Sequence, residues 1–162
     1  MFAERHGLVL VNAQLLQRIC SSLQVGDDLL TLFTSSEIGA TVCRRGAVVP
    51  VIGLAQGGHD VSVRNTPPSM LSDVRKTSTG WVLRAGAAPT LLCGLGYLSA
   101  WDPEHVQHRK LTVPSGLYAI EFSGGFSAEG RWGIDFLVTP TDKEPDEPPG
   151  LEVAFDLYLD GP

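Results

Sequence analysis

The sequence predicts an all-β protein, an antiparallel β-sandwich with one short N-terminal helix, and three observations carry that expectation. The composition is rich in turn formers and poor in charge, with 18 glycines and 11 prolines against 19% charged residues, which favours short strands joined by tight turns. Between Gly116 and Pro140, Tyr118, Ile120 and Phe122 oppose Leu117, Ala119 and Glu121. On the return, Trp132, Ile134, Phe136 and Val138 oppose Arg131, Gly133, Asp135 and Leu137. A period of two sends successive side chains to opposite faces of a sheet. Leu151 to Leu159 repeats the pattern, with Leu151, Val153, Phe155, Leu157 and Leu159 on one face. A closed antiparallel barrel, which has no edges, is the alternative architecture.

The elements follow in order within one domain spanning residues 1–162, and roughly eight to eleven strands are expected. Gly7 to Val11 reads as a strand. Asn12 to Gln24 places Leu15, Leu16, Ile19, Cys20 and Leu23 at helical spacing, with Asn12 as the N-cap and Gly26 beyond the end. Leu29 to Thr34, Ala40 to Arg44 and Ala47 to Leu54 read as strands, the last two joined at a hairpin tip, Arg44-Arg45-Gly46. Pro50 cannot donate to a ladder and so assigns its strand to an edge or an interruption. Gln56 to His59 reads as a turn and Val61 to Arg64 as a strand. Ser69 to Gly80 is polar and weakly patterned, a surface crossing with one helical turn near Ser69 to Val74. Trp81 to Ala85 and Thr90 to Leu95 are strands, and Tyr97 to Trp101 continues the second. Val106 to Val113 leads through the Pro114-Ser115-Gly116 turn into the long hairpin, whose loop is expected at Gly124 to Gly130. Trp81, Trp132, Ile120, Phe122, Phe136 and Phe155 are the candidate core.

Several function classes lose support from the residues. No apolar run reaches the ~18 residues of a membrane helix, and the N-terminus lacks the basic and apolar regions of a signal peptide, so a cytoplasmic location is expected. Cys20, Cys43 and Cys93 are odd in number, widely spaced and set in apolar sequence, as buried free thiols are. His105 and His108 sit three apart at the entry to a strand, where they would face opposite ways, so no metal is expected. Ser115 lacks the context of a nucleophile elbow. The Gly-rich stretches lack the Lys-Ser or Lys-Thr step of a phosphate loop. Glu121 and Asp135 on neighbouring strands could form a carboxylate pair, yet two acids on a solvated face are commonplace. No enzymatic activity and no cofactor are expected. Arg44-Arg45 and Arg75-Lys76 are isolated doublets in an acidic chain, which argues against direct nucleic-acid binding.

Charge becomes informative once it is located. The net charge is −6, and from Thr141 to the C-terminus seven acids stand against one base. The whole imbalance therefore sits there. Residues 141–150 are Pro-rich and acidic, expected to form a mobile loop. Beyond them Glu152, Asp156, Tyr158 and Asp160 share the polar face of a strand, the carboxylates ~13 Å apart at ~3.3 Å per residue. With Asp142 and Glu144, such a row would steer a basic protein partner. Trp81, Tyr97 and Trp101, if exposed, would instead suit a small-ligand or carbohydrate-binding module.

The run from Arg109 to Phe122, Arg-Lys-Leu-Thr-Val-Pro-Ser-Gly-Leu-Tyr-Ala-Ile-Glu-Phe, followed by Trp132-Gly-Ile-Asp-Phe-Leu-Val138, resembles the closing hairpin of the competence protein J nuclease inhibitors. More loosely it resembles β-sandwich immunity proteins that neutralise bacterial nuclease toxins. The resemblance implies a non-enzymatic inhibitor whose partner is a nuclease toxin, and it transfers no binding residue to a numbered position here. Residues 141–162 extend beyond the family's pattern.

Overall fold

The fold is described from a computed structural model, which covers residues 2–3, 7–54 and 57–144. It is β-rich, with two four-stranded sheets, a two-stranded ribbon and three short α-helices among the described residues. The first sheet has the order β3(Val48–Ile52), β2(Gly7–Val11), β7(Thr90–Gly94), β8(Arg109–Leu111), antiparallel throughout. The second has the order β5(Asp60–Arg64), β10(Trp132–Pro140), β9(Gly116–Ser127), β6(Leu71–Ala85). β1(Phe2–Ala3) and β4(Gly57–Gly58) form the ribbon. The sheets are open, so the fold is not a closed barrel.

Every residue of β2 and β7 is buried. A strand buried on both faces reads as a continuous apolar run, here Gly-Leu-Val-Leu-Val. Leu8 to Val11 share one core with Trp81, Leu83, Ile120, Phe122, Ile134 and Phe136 of the second sheet, and with Leu16, Leu29, Phe33 and Val42 from the helices. Of the candidate core, Trp132 is half-buried at the margin and Phe155 lies outside the described residues.

α1(Ala13–Ile19) starts as the sequence predicts, the Asn12 side chain accepting from the Leu15 N–H at 2.9 Å, and stops sooner, at Cys20. Pro50 lies in β3, an edge strand. The expected strands at Leu29 to Thr34 and Ala40 to Arg44 are instead α2(Leu29–Ser35) and α3(Ile38–Arg44). Leu29 and Phe33 are buried one helical turn apart, and Asp28 caps α2 by accepting from the Thr31 N–H at 2.9 Å. Arg44-Arg45-Gly46 is therefore the corner between α3 and β3, not a hairpin tip. The Gly46 carbonyl accepts from the Arg84 N–H at 2.8 Å, tying β3's approach to β6.

Three further expectations change. Ser69 to Gly80 is not a loop: it supplies most of β6, whose exposed, polar residues line an edge and so lack apolar alternation. Gln56 to His59 is not simply a turn, since Gly57–Gly58 pairs with β1. Tyr97 to Trp101 does not extend β7, because Leu95–Ala100 winds into a 3-10 helix that buries Leu95 and Leu98.

The β9–β10 hairpin is longer than its sequence suggested. Pairing persists from Tyr118↔Pro140 to Phe126↔Trp132, so Gly124 and Gly125 lie inside β9 and the reversal falls at 128–131. Gly125 is required there by close approach: a Cβ would sit 2.0 Å from the Asp73 carbonyl oxygen, where the register between β6 and β9 is bulged. At Gly133 of β10 a Cβ would meet Leu71 at 2.8 Å and Met70 at 3.0 Å, so the start of β6 and the residue before it pack closely on β10 there. β5 joins β10 in parallel, Asp60↔Gly133 to Arg64↔Leu137. The second sheet is thus mixed rather than antiparallel.

Candidate functional site

Of the expected partner-binding residues, only Asp142 and Glu144 fall in the described part; Glu152, Asp156, Tyr158 and Asp160 lie outside it. Asp142 is exposed. The Thr141 N–H donates to the Leu117 carbonyl at 3.0 Å, which carries the chain from the end of β10 across the start of β9. Three residues on, Glu144 accepts from Arg84 of β6. Residues 141–144 are therefore held at a corner of the second sheet, with Glu144 engaged in an ion pair.

Asp135 has a different role from the one its sequence position suggested. The register sets it opposite Ser123 and sets Glu121 opposite Leu137, so no directly facing carboxylate pair forms. Asp135 is 1% exposed and fully engaged. Its Oδ1 accepts from Ser62 Oγ at 2.7 Å, and its Oδ2 from Arg64 Nε at 2.6 Å and Ser69 Oγ at 2.5 Å. Arg64 also donates to the Thr66 carbonyl at 2.8 Å. One carboxylate thus fastens β5 and the connection after it to the outer face of β10. Its local sequence signal, an acid between Ile134 and Phe136, is that of an ordinary solvent-facing residue.

The two histidines do come together, contrary to the strand expectation. Turns at 103–107 precede β8 and bring the His105 and His108 ring centroids to 5.4 Å. Tyr97 lies 4.7 Å from His105 and 5.5 Å from His108, edge-on to the latter. Trp101 stacks on His108 at 6.0 Å. Among the described residues no three His, Cys, Asp or Glu side chains converge as a metal site. Burial, then the neighbouring His105, lowers the His108 pKa below the usual imidazole value; the Pro103 carbonyl and Asp102 work against that shift. Burial raises the thiols of Cys43 and Cys93 to about 12, and all three cysteines are free and buried.

Two clefts lie among the described residues. One of about 280 Å³ lies between α1, the 23–25 turn and the 101–104 turn, with Leu23, Val25, Trp101 and Pro103 among its walls. The other, about 570 Å³ and polar, lies beside the β9–β10 turn; there Arg131 bridges to Asp60 at 2.9 Å. Trp81 and Trp101 are each 3% exposed, and the Trp81 indole N–H donates to Ser78 Oγ at 2.9 Å. Neither indole offers the open stacking platform that a sugar-binding face needs, and Tyr97 is half-buried against the histidines.

Among the described residues no helix is long and apolar enough to cross a membrane. The chain matches no family model, and no curated protein or solved structure is similar to it.

Proposed function

We propose that this protein is a cytoplasmic immunity protein that binds and inhibits a nuclease toxin, using its C-terminal acidic segment as the docking surface on a sandwich-like scaffold. One observation carries the reading: the net charge of −6 arises wholly after Pro140, and the segment bearing it is fastened at its start through Thr141 and Glu144. A tethered row of carboxylates competes for a cationic groove built to hold phosphodiesters, and its anchoring lowers the ordering cost of binding. Rim charges raise the association rate, whereas desolvated pairs slow dissociation. The resemblance of residues 109–138 to nuclease inhibitors points the same way, and the burial of Trp81 and Trp101 weakens the sugar-binding alternative.

The test is affinity capture against a panel of purified bacterial nuclease-toxin domains, comparing the wild type with the triple variant E152K/D156K/D160K. The expected result is tight, salt-sensitive capture of one nuclease that the triple variant loses while its circular dichroism is unchanged. Capture of none, or unchanged affinity of the variant across salt concentrations, overturns the reading.

A further inference from the structure

Buried polar atoms without a partner are concentrated in one place. Among the described residues they are Ser99 Oγ and both ring nitrogens of His108, all on the segment that runs from the 3-10 helix to β8. Each such group costs about 1–3 kcal/mol, so apolar contacts hold the segment down against its own polar groups. Leu95, Leu98 and Trp101 supply that contact. Two backbone bonds add to it: the Trp101 N–H donates to the Asp27 carbonyl at 2.9 Å, and the Gly26 N–H to the Trp101 carbonyl at 2.8 Å. His108 is 8% exposed, and its ring neighbours are Tyr97, Trp101 and His105.

We propose that residues 95–108 form an acid-released latch, closed while the His108 ring is neutral beneath Tyr97, Trp101 and His105 and opened when that ring takes a second proton. An imidazolium there must place two N–H donors among aromatic rings, with no acceptor in hydrogen-bonding geometry. The segment itself contributes Asp102, Glu104 and His105, and β8 contributes Arg109 and Lys110. Asp27 and Asp28 come from the turn before α2, while α2, β2 and β7 add no Asp, Glu, Lys, Arg or His. The Pro103 carbonyl and Asp102 favour the imidazolium, but His105 and Lys110 oppose it, and Glu104 is held by Lys110 at 2.7 Å. Burial outweighs them all, which lowers the His108 pKa.

The closed form thus binds fewer protons than the open one. Closure is most stable above the ordinary imidazole value of about 6.5 and weakens as pH falls below it toward the lowered value. Opening frees Trp101 and unties the 24–28 turn.

Hydrogen exchange of the full chain, corrected for intrinsic rates, tests this between pH 7.5 and 5.5, beside an NMR titration of His108. One linked proton raises the opening equilibrium by up to about tenfold per pH unit. Exchange within 95–108 should therefore approach a tenfold rise, while β9 is unaffected. His108→Phe, which fills the site without ring nitrogens, should hold the segment closed at both pH values. Wild-type exchange that ignores pH, acid opening that survives in His108→Phe, or a His108 midpoint at or above 6.5 each overturns the latch. The wild-type titration decides alone if the variant does not fold.

Discussion

The β9–β10 hairpin and the 95–108 segment both bury polar side chains, and they do so in opposite ways. Asp135 meets three donors from β5 and the chain after it; neither ring nitrogen of His108 has a hydrogen-bond partner. The two cases separate burial from satisfaction. A buried carboxylate with its donors in place fixes which segments lie together, because every alternative arrangement leaves a charge unpaired. A buried imidazole with no partner fixes nothing and makes its segment the easier one to open.

Four substitutions break or sharpen that contrast. Phe136→Ala removes a side chain with no exposed surface next to Asp135, and should cost about 3–5 kcal/mol in chemical denaturation, with the whole second sheet unfolding in one transition. Asp135→Ala strands the Arg64 guanidinium and two serines; because Arg64 keeps 19% side-chain exposure, about 3 kcal/mol is expected, at the lower end for a broken buried pair. A loss under about 1 kcal/mol there, near the worth of an exposed pair, would erase the contrast with His108. Gly125→Ala forces the Asp73 carbonyl away from β9 and should cost about 1–3 kcal/mol, read as faster exchange confined to the first half of β6. Glu144→Gln gives up an ion pair whose carboxylate is 70% exposed, so stability should change by less than about 0.5 kcal/mol. Its effect should appear instead in the salt dependence of association with the captured nuclease.

What the sequence made legible is local. Asn12 caps α1, Pro50 marks an edge, and the Tyr118–Ile120–Phe122 row faces the core, each through physics acting within a few residues. Leu29-Leu-Thr-Leu-Phe33 is a short apolar run that fits either period, and the Asp28 cap decides for the helix. The early part of β6 leaves no mark in the sequence, since an exposed edge strand needs no apolar alternation. Asp135 sits where alternation points it outward; Ser62, Arg64 and Ser69, distant in sequence, close over it. The meeting of His105 and His108 depended on the turns at 103–107, for which spacing alone gave no sign. Of the expected docking row, Asp142 and Glu144 can be placed, and Glu144 proves to be shared with Arg84.

The parallel seam between β5 and β10 also bears on how the chain is made. Among the described residues β5 pairs only with β10, and their register joins Val61 and Val63 to Ile134 and Phe136. A ribosome releasing this chain from its N-terminus delivers β5 well before its partner, and those two valines must wait through the synthesis of β6, β7, β8 and β9. Until residue 140 emerges, the nascent protein presents an unpaired strand with an apolar face, the kind of surface that aggregates or recruits chaperones.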